Sequence, residues 1–207
     1  MRRCTGILVV ALLLAAVSAV ADELADQLEG KSPEERIGYL RNRVDRGEGS
    51  AEVHFHMGNA FYSTGEIDSS IVHLGRATEL DKGYAKAWVN LGIAYDTKGS
   101  FGQARLAYEA AIDVNPDDVL AYCHLGFNYF SRGEKDKAIQ LYTRALEIDP
   151  RSAQAHYNLG LAFAEAKMFA EALTEWNLVV ELDPDGDLGR VAQENVGLIE
   201  AYLELEQ

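Results

Sequence analysis

Four glycines, Gly58, Gly92, Gly126 and Gly160, stand 34 residues apart, and that interval governs what the chain can fold into. Each follows a large apolar residue (Met57, Leu91, Leu125, Leu159) and precedes an aromatic by three positions (Phe61, Tyr95, Tyr129, Phe163). Recurrence at one period of this size marks stacked supersecondary units, each too small to bury its apolar face alone.

The interval divides the chain into four repeats, 51–84, 85–118, 119–152 and 153–186. In the second, an amphipathic stretch from Ala85 to Thr97 reaches a turn at Lys98-Gly99. Another runs from Phe101 to Val114 and ends at Asn115-Pro116, where proline opposes continuation of a helix. Gly65 and Gly133 hold the matching turns, and Asp149-Pro150 and Asp183-Pro184 the matching ends. Each repeat is therefore predicted to be helix-turn-helix, and the chain all-α. A glycine inside a helix costs about 1 kcal/mol relative to alanine. Close approach of the paired helix offsets this, with Ala77, Ala111 and Ala145 expected as the small residues opposite. Trp88, Tyr122, Leu74, Tyr108, Tyr142 and Trp176 recur as the large residues expected to fill the spaces between helices.

This column pattern resembles the tetratricopeptide repeat family. The second repeat matches through Trp88, Leu91-Gly92, Tyr95, Gly99, Ala104, Tyr108, Ala111 and Pro116. The third matches through Tyr122, Leu125-Gly126, Tyr129, Gly133, Ala138, Tyr142, Ala145 and Pro150. The first departs at Ser70 and Lys82, the fourth at Lys167 and Val179. The resemblance covers 51–186 and implies a right-handed superhelical array of helix-turn-helix repeats, an α-solenoid, closed by capping helices.

The flanks fit such caps. In 22–50, Ser32-Pro33-Glu34-Glu35 carries a serine N-cap, a first-turn proline and a glutamate that completes a capping box. Ile37, Leu40 and Val44 follow at helical spacing, and Gly47 and Gly49 end the helix. This stretch is expected as a cap, with a flexible tether as the competing reading. In 187–207, Leu188, Val191, Val196, Ile199, Tyr202 and Leu203 form an apolar stripe opposite Glu194, Glu200, Glu204 and Glu206.

At the start, Arg2 and Arg3 precede an uncharged run from Ile7 to Val17 and an Ala19-Val20-Ala21 site before Asp22. That is the plan of an export signal peptide, 1–21, cut after Ala21. The run is shorter than the ~20 residues a spanning helix needs, which disfavours an uncleaved anchor. Cys4 precedes the run and so cannot take the lipid of a lipoprotein signal; cleavage leaves Cys123 alone, with no intramolecular disulfide. With neither a disulfide framework nor a glycan sequon, the bacterial periplasm is the expected destination.

The formal net charge of −14 becomes −16 without Arg2 and Arg3. Such a surface repels nucleic acid and anionic lipid, and suits a partner with a positive or neutral apolar face. No nucleophile and base, phosphate loop or paired carboxylates stand out, so neither catalysis nor a cofactor is expected. His54, His56, His73, His124 and His156 form no metal-binding pair on one helix and are expected at the surface or in a groove. Asp183, Asp185, Asp187 and Glu194 echo a calcium loop, but Leu188 stands where its sharp turn needs glycine, so no metal is expected.

The family resemblance implies that first helices line a concave surface holding an extended peptide or a partner helix. Carried onto this chain, the inward columns are Phe55, Val89, Cys123 and Tyr157; His56, Asn90, His124 and Asn158; and Asn59, Ile93, Phe127 and Leu161. Asparagine both donates to and accepts from a peptide bond, which nominates Asn90 and Asn158 to hold a ligand backbone and Phe127 and Tyr157 to anchor it. The family's carboxylate clamp is matched only by Asn59 and Asn90; Phe55, Leu120 and His124 replace its basic residues. The expected function is thus a non-catalytic, exported scaffold or adaptor for envelope complex assembly. The alternative is a structural protein whose groove or ends bind copies of itself.

Overall fold

A computed structural model describes residues 24–205. The expected signal peptide and cleavage site lie outside the described residues. Within them every regular element is helical, and the tandem helix pairs make the chain an α-solenoid. Two compact units divide at Lys82 and Gly83.

In the first unit, helical residues 24–28 precede α1 (Pro33–Asp45), α2 (Ala51–Ser63) and α3 (Ile67–Leu80). The capping box forms: Ser32 Oγ accepts from the Glu35 amide at 3.3 Å, and the Ser32 amide donates to Glu35 Oε2 at 2.8 Å. Each bond satisfies a donor that the helix start would otherwise leave orphaned. Leu24, Leu28, Ile37 and Leu40 bury against Val53, Met57, Ala60 and Phe61 of α2, so the segment before the first repeat shares that repeat's core.

The second unit contains α4 (Ala85–Thr97), α5 (Phe101–Val114), α6 (Val119–Ser131), α7 (Lys135–Ile148), α8 (Ala153–Glu165), α9 (Phe169–Leu182) and α10 (Asp187–Leu205). Helices pair as α4 with α5, α6 with α7 and α8 with α9, while the first helices α4, α6 and α8 also touch in succession. Asp118 and Ser152 cap α6 and α8 through the amides of Ala121 and Ala155. The last pair is covered by α10, whose Ala192, Val196 and Ile199 join Ala172, Trp176 and Val179.

The mid-helix glycines pack differently from the alanine contact expected. A Cβ on Gly92 would lie 2.4 Å from Tyr108 Cε1, one on Gly126 2.4 Å from Tyr142 Cε1, and one on Gly160 2.6 Å from Trp176 Nε1. On Gly58 it would meet Leu74 Cγ at 2.6 Å. The glycine is therefore a notch for the large residue of the second helix. The alanines serve elsewhere: Ala111 clusters with Ala121 of the next repeat, and Ala145 with Ala155.

The turns repeat as well. Gly65, Gly99 and Gly133 have φ of 81°, 78° and 79°, the left-handed conformation that ends a helix and starts its antiparallel partner. Lys167 takes the same place in the fourth repeat at φ 61°. Before α10, Asp183 Oδ2 accepts from the Gly189 amide at 3.1 Å and Asp187 pairs with Arg190. These carboxylates are employed in ending one helix and starting the next.

Candidate functional site

The expected inward residues fall into groups with different surroundings. On α2, Phe55, His56 and Asn59 are each half-buried, and the Phe55 and His56 rings meet edge to face at 5.3 Å. Burial, with a smaller contribution from Arg36, lowers the affinity of His56 for a proton.

On α4, α6 and α8 the columns diverge. Val89 is buried in the cluster of Tyr108 and Leu125. Cys123, expected to face inward, lies in the core with Ala145 and Ala155, and burial chiefly, with Asp118, pushes its thiol up to about 12. It is a packing residue and no nucleophile. Asn158 is buried, and its Oδ1 accepts from Gln154 Nε2 at 3.0 Å. Tyr157 and Leu161 pack on the cluster that α10 completes, and Asn195 Nδ2 of α10 approaches the Tyr157 hydroxyl at 3.5 Å. The Tyr157 carbonyl accepts from Trp176 Nε1 at 3.1 Å. Asn90 is half-buried, on the same helix as Ile93.

Ile93, His124 and Phe127 converge on one cleft of about 300 Å³ between α4, α5 and α6. Phe127 is 47 % exposed, and the His124 ring stacks on Tyr108 at 5.7 Å with 10° between planes. Burial lowers the proton affinity of His124 against a weaker opposing pull from Asp118. Five further residues line it, Asp96, Thr97, Phe101, Tyr108 and Ser131, none of them in the expected inward columns.

Asp96 is the polar centre of this cleft. Its Oδ2 accepts from the Tyr108 hydroxyl at 3.0 Å and its Oδ1 from Asn128 Nδ2 at 2.6 Å; Asn128 Nδ2 also donates to the Phe101 carbonyl at 3.1 Å. Burial pushes the Asp96 carboxyl above the ordinary range, although both bonds act the other way. A sequence signal existed. Asn128 occupies a column otherwise filled by Ala60, Ala94 and Ala162, and Asp96 one filled by Tyr62, Phe130 and Ala164. Two singular departures from the repeat meet each other across successive repeats.

The histidines expected at the surface or in a groove divide. His54 and His156 are buried where the other repeats have Trp88 and Tyr122. Their partners share a column as well: His54 Nδ1 lies 3.0 Å from His73 Nδ1, and His156 Nδ1 lies 2.6 Å from Glu175 Oε2. Polar pairs thus replace an aromatic contact between helices. Among the described residues no three His, Cys, Asp or Glu side chains group to hold a metal ion, and no helix is long and apolar enough to cross a membrane.

No curated protein matches the sequence. Among solved structures, a crystal structure of MamA is similar over 70% of this chain and 85% of its own, with 27% identity and a TM-score of 0.64. A second MamA structure aligns over 79% and 90% with 25% identity and a TM-score of 0.67. MamA 41-end from Desulfovibrio magneticus RS-1, at 22% identity, shares the fold over 82% and 96% with a TM-score of 0.69. Family models described as TPR repeat match residues 58–99 and 128–167, and models described as tetratricopeptide repeat match 85–118 and 154–186. With helix pairs, notch glycines and turn residues recurring at the same period, the chain belongs to the tetratricopeptide repeat proteins.

Proposed function

We propose that this protein-interaction scaffold is non-catalytic and exported, and that it holds a peptide or partner helix on the surface formed by its first helices, in the assembly of an envelope complex. The observation that carries the reading is the cleft where Ile93 and Phe127 offer apolar surface beside the polar groups of His124 and Asp96. A few placed polar groups in apolar surroundings are what a recognition site needs to fix a ligand's orientation. Phe127 supports an anchoring role, since an aromatic side chain gains contact area at little cost in conformational entropy.

Export rests on the Arg2-Arg3, apolar-run and Ala19-Val20-Ala21 sequence. The N-terminus of the chain purified from its host tests that part: one still beginning at Met1 refutes cleavage after Ala21. Site-specific photocrosslinking in the host, followed by mass spectrometry, tests the surface. A crosslinker at Phe127 is expected to capture a partner protein that one at Thr143, exposed on the second helix α7, does not. Equal capture from both positions, or capture from Thr143 alone, would refute the reading.

Self-association is the second reading, favoured by Leu198, 70 % exposed on α10, and by Tyr202 on the same helix. Light scattering across concentration decides it, because a mature chain that stays monomeric excludes self-assembly.

A further inference from the structure

We propose that the cleft between α4, α5 and α6 is a specificity pocket for one basic side chain, lysine or arginine, of the bound segment, with the cation seated against the Asp96 carboxylate. This rests on the surface reading above and names the partner's chemistry.

The apolar walls come first. Ile93, Phe101 and Phe127 offer the kind of surface along which lysine and arginine lay their methylene stems while the charged head reaches a polar group. The volume, about 300 Å³, is at the small end of ligand pockets and fits one long side chain better than a cofactor.

The carboxylate comes next. Asp96 accepts one hydrogen bond on each oxygen, both from neutral donors, Tyr108 and Asn128. An ionised carboxylate has about four acceptor sites, so half its capacity is left for a ligand. A half-buried anion with only neutral neighbours is held at a cost in desolvation, which a cation repays. His124, the other titratable wall, favours its neutral form and does not repel that cation.

The supporting residue points the same way. Asn128 is 1 % exposed in a column that elsewhere holds alanine, and its Oδ1 has no hydrogen-bond partner. Packing alone is served better by the alanine of the other repeats, and what asparagine adds is a donor that fixes the Asp96 carboxylate in the cleft wall. The net charge of −14 favours encounter with a basic segment.

The test uses the full mature chain and a random peptide library displayed on phage. Selected peptides are expected to share one enriched lysine or arginine. Replacing that residue by uncharged norleucine should weaken binding about tenfold, as should Asp96→Asn, and the two changes together should cost little more than either alone. The norleucine peptide probes the intact fold, so the test does not depend on how the variant folds. Selected peptides without a basic position, or norleucine peptides that bind equally well, overturn the basic pocket. If Phe127→Ala still abolishes binding in that case, the surface reading survives on its own. Binding indifferent to both Phe127→Ala and the peptide's charge overturns both, as does a library that yields no binder.

Discussion

Alanine at two helical glycines should act with opposite sign, and the difference follows from what each glycine faces. Gly126 lies on α6 and Gly197 on α10. In a helix interior, glycine to alanine gains about 1 kcal/mol from backbone entropy. Nothing lies within 4 Å of a Cβ on Gly197, so Gly197→Ala should stabilise the chain by about 0.5–1 kcal/mol. At Gly126 the added methyl would meet Tyr142 Cε1, Cδ1 and Cζ at 2.4, 2.8 and 3.0 Å. Carbon atoms attract best at about 3.5–4.0 Å, so the overlap exceeds about 1 Å. Tyr142 is 1 % exposed in a cluster with Leu159 and Ala162 and has no open side to move into. Overpacking of this kind costs about 1–3 kcal/mol and at times more, which outweighs the helix gain. An overlap this large puts the cost toward the upper end of that range, and subtracting the helix gain leaves a net loss of about 1–2 kcal/mol for Gly126→Ala. Urea unfolding followed by far-ultraviolet circular dichroism reads both variants as midpoint shifts at unchanged slope. In a Tyr142→Ala background the clash is gone, and Gly126→Ala should become neutral or stabilising. A Gly126→Ala chain as stable as the parent, or a loss that persists without the Tyr142 ring, refutes the notch.

Ser70 is fully buried on α3 with no partner for its hydroxyl, where the other repeats have Ala104, Ala138 and Ala172. Ser70→Ala should stabilise the first unit by about 1–2 kcal/mol in denaturant titration, and a destabilised variant would reveal a partner for Oγ. Lys167→Gly relieves a left-handed lysine and should gain about 0.5–1 kcal/mol after the added freedom of the unfolded chain, visible as a higher calorimetric Tm. The Cys123 thiol is raised from 9.0 to about 12 by folding, so its contribution to stability is complete below pH 9.0 and is lost as pH rises toward 12. Comparing the pH dependence of unfolding in Cys123→Ala, which should lack that share of the alkaline loss, checks the sign.

Much of the fold was legible because packing columns repeat. The period placed the helix pairs and the glycine turns between them, and the Ser32-Pro33-Glu34-Glu35 motif placed the capping box, for each depends on local residue types. The partner of each notch glycine was less legible, because Leu74, Tyr108, Tyr142 and Trp176 already accounted for core volume and alanine is a common small contact. The site was legible in part. Ile93, His124 and Phe127 share a cleft because helices α4 and α6 bring equivalent faces together. Cys123 lies in the core and Asn158 is buried against Gln154, since where first helices pack side by side a one-residue step along the face decides between groove and interior. Asp96 and Asn128 were missed for a different reason: matching a repeat rewards agreement between columns, and these two matter by departing from theirs.

The notch and the large side chain that fills it lie 16 residues apart in every repeat, from Gly58 and Leu74 through to Gly160 and Trp176. Closing so short a loop costs little chain entropy, so each lock can form before its neighbours exist. Folding can then begin in any helix pair and spread outward through the alanine contacts, at the fast rates of low-contact-order chains. By the same reasoning, removing one ring should loosen its own hairpin first, and hydrogen exchange should quicken there ahead of the remaining repeats.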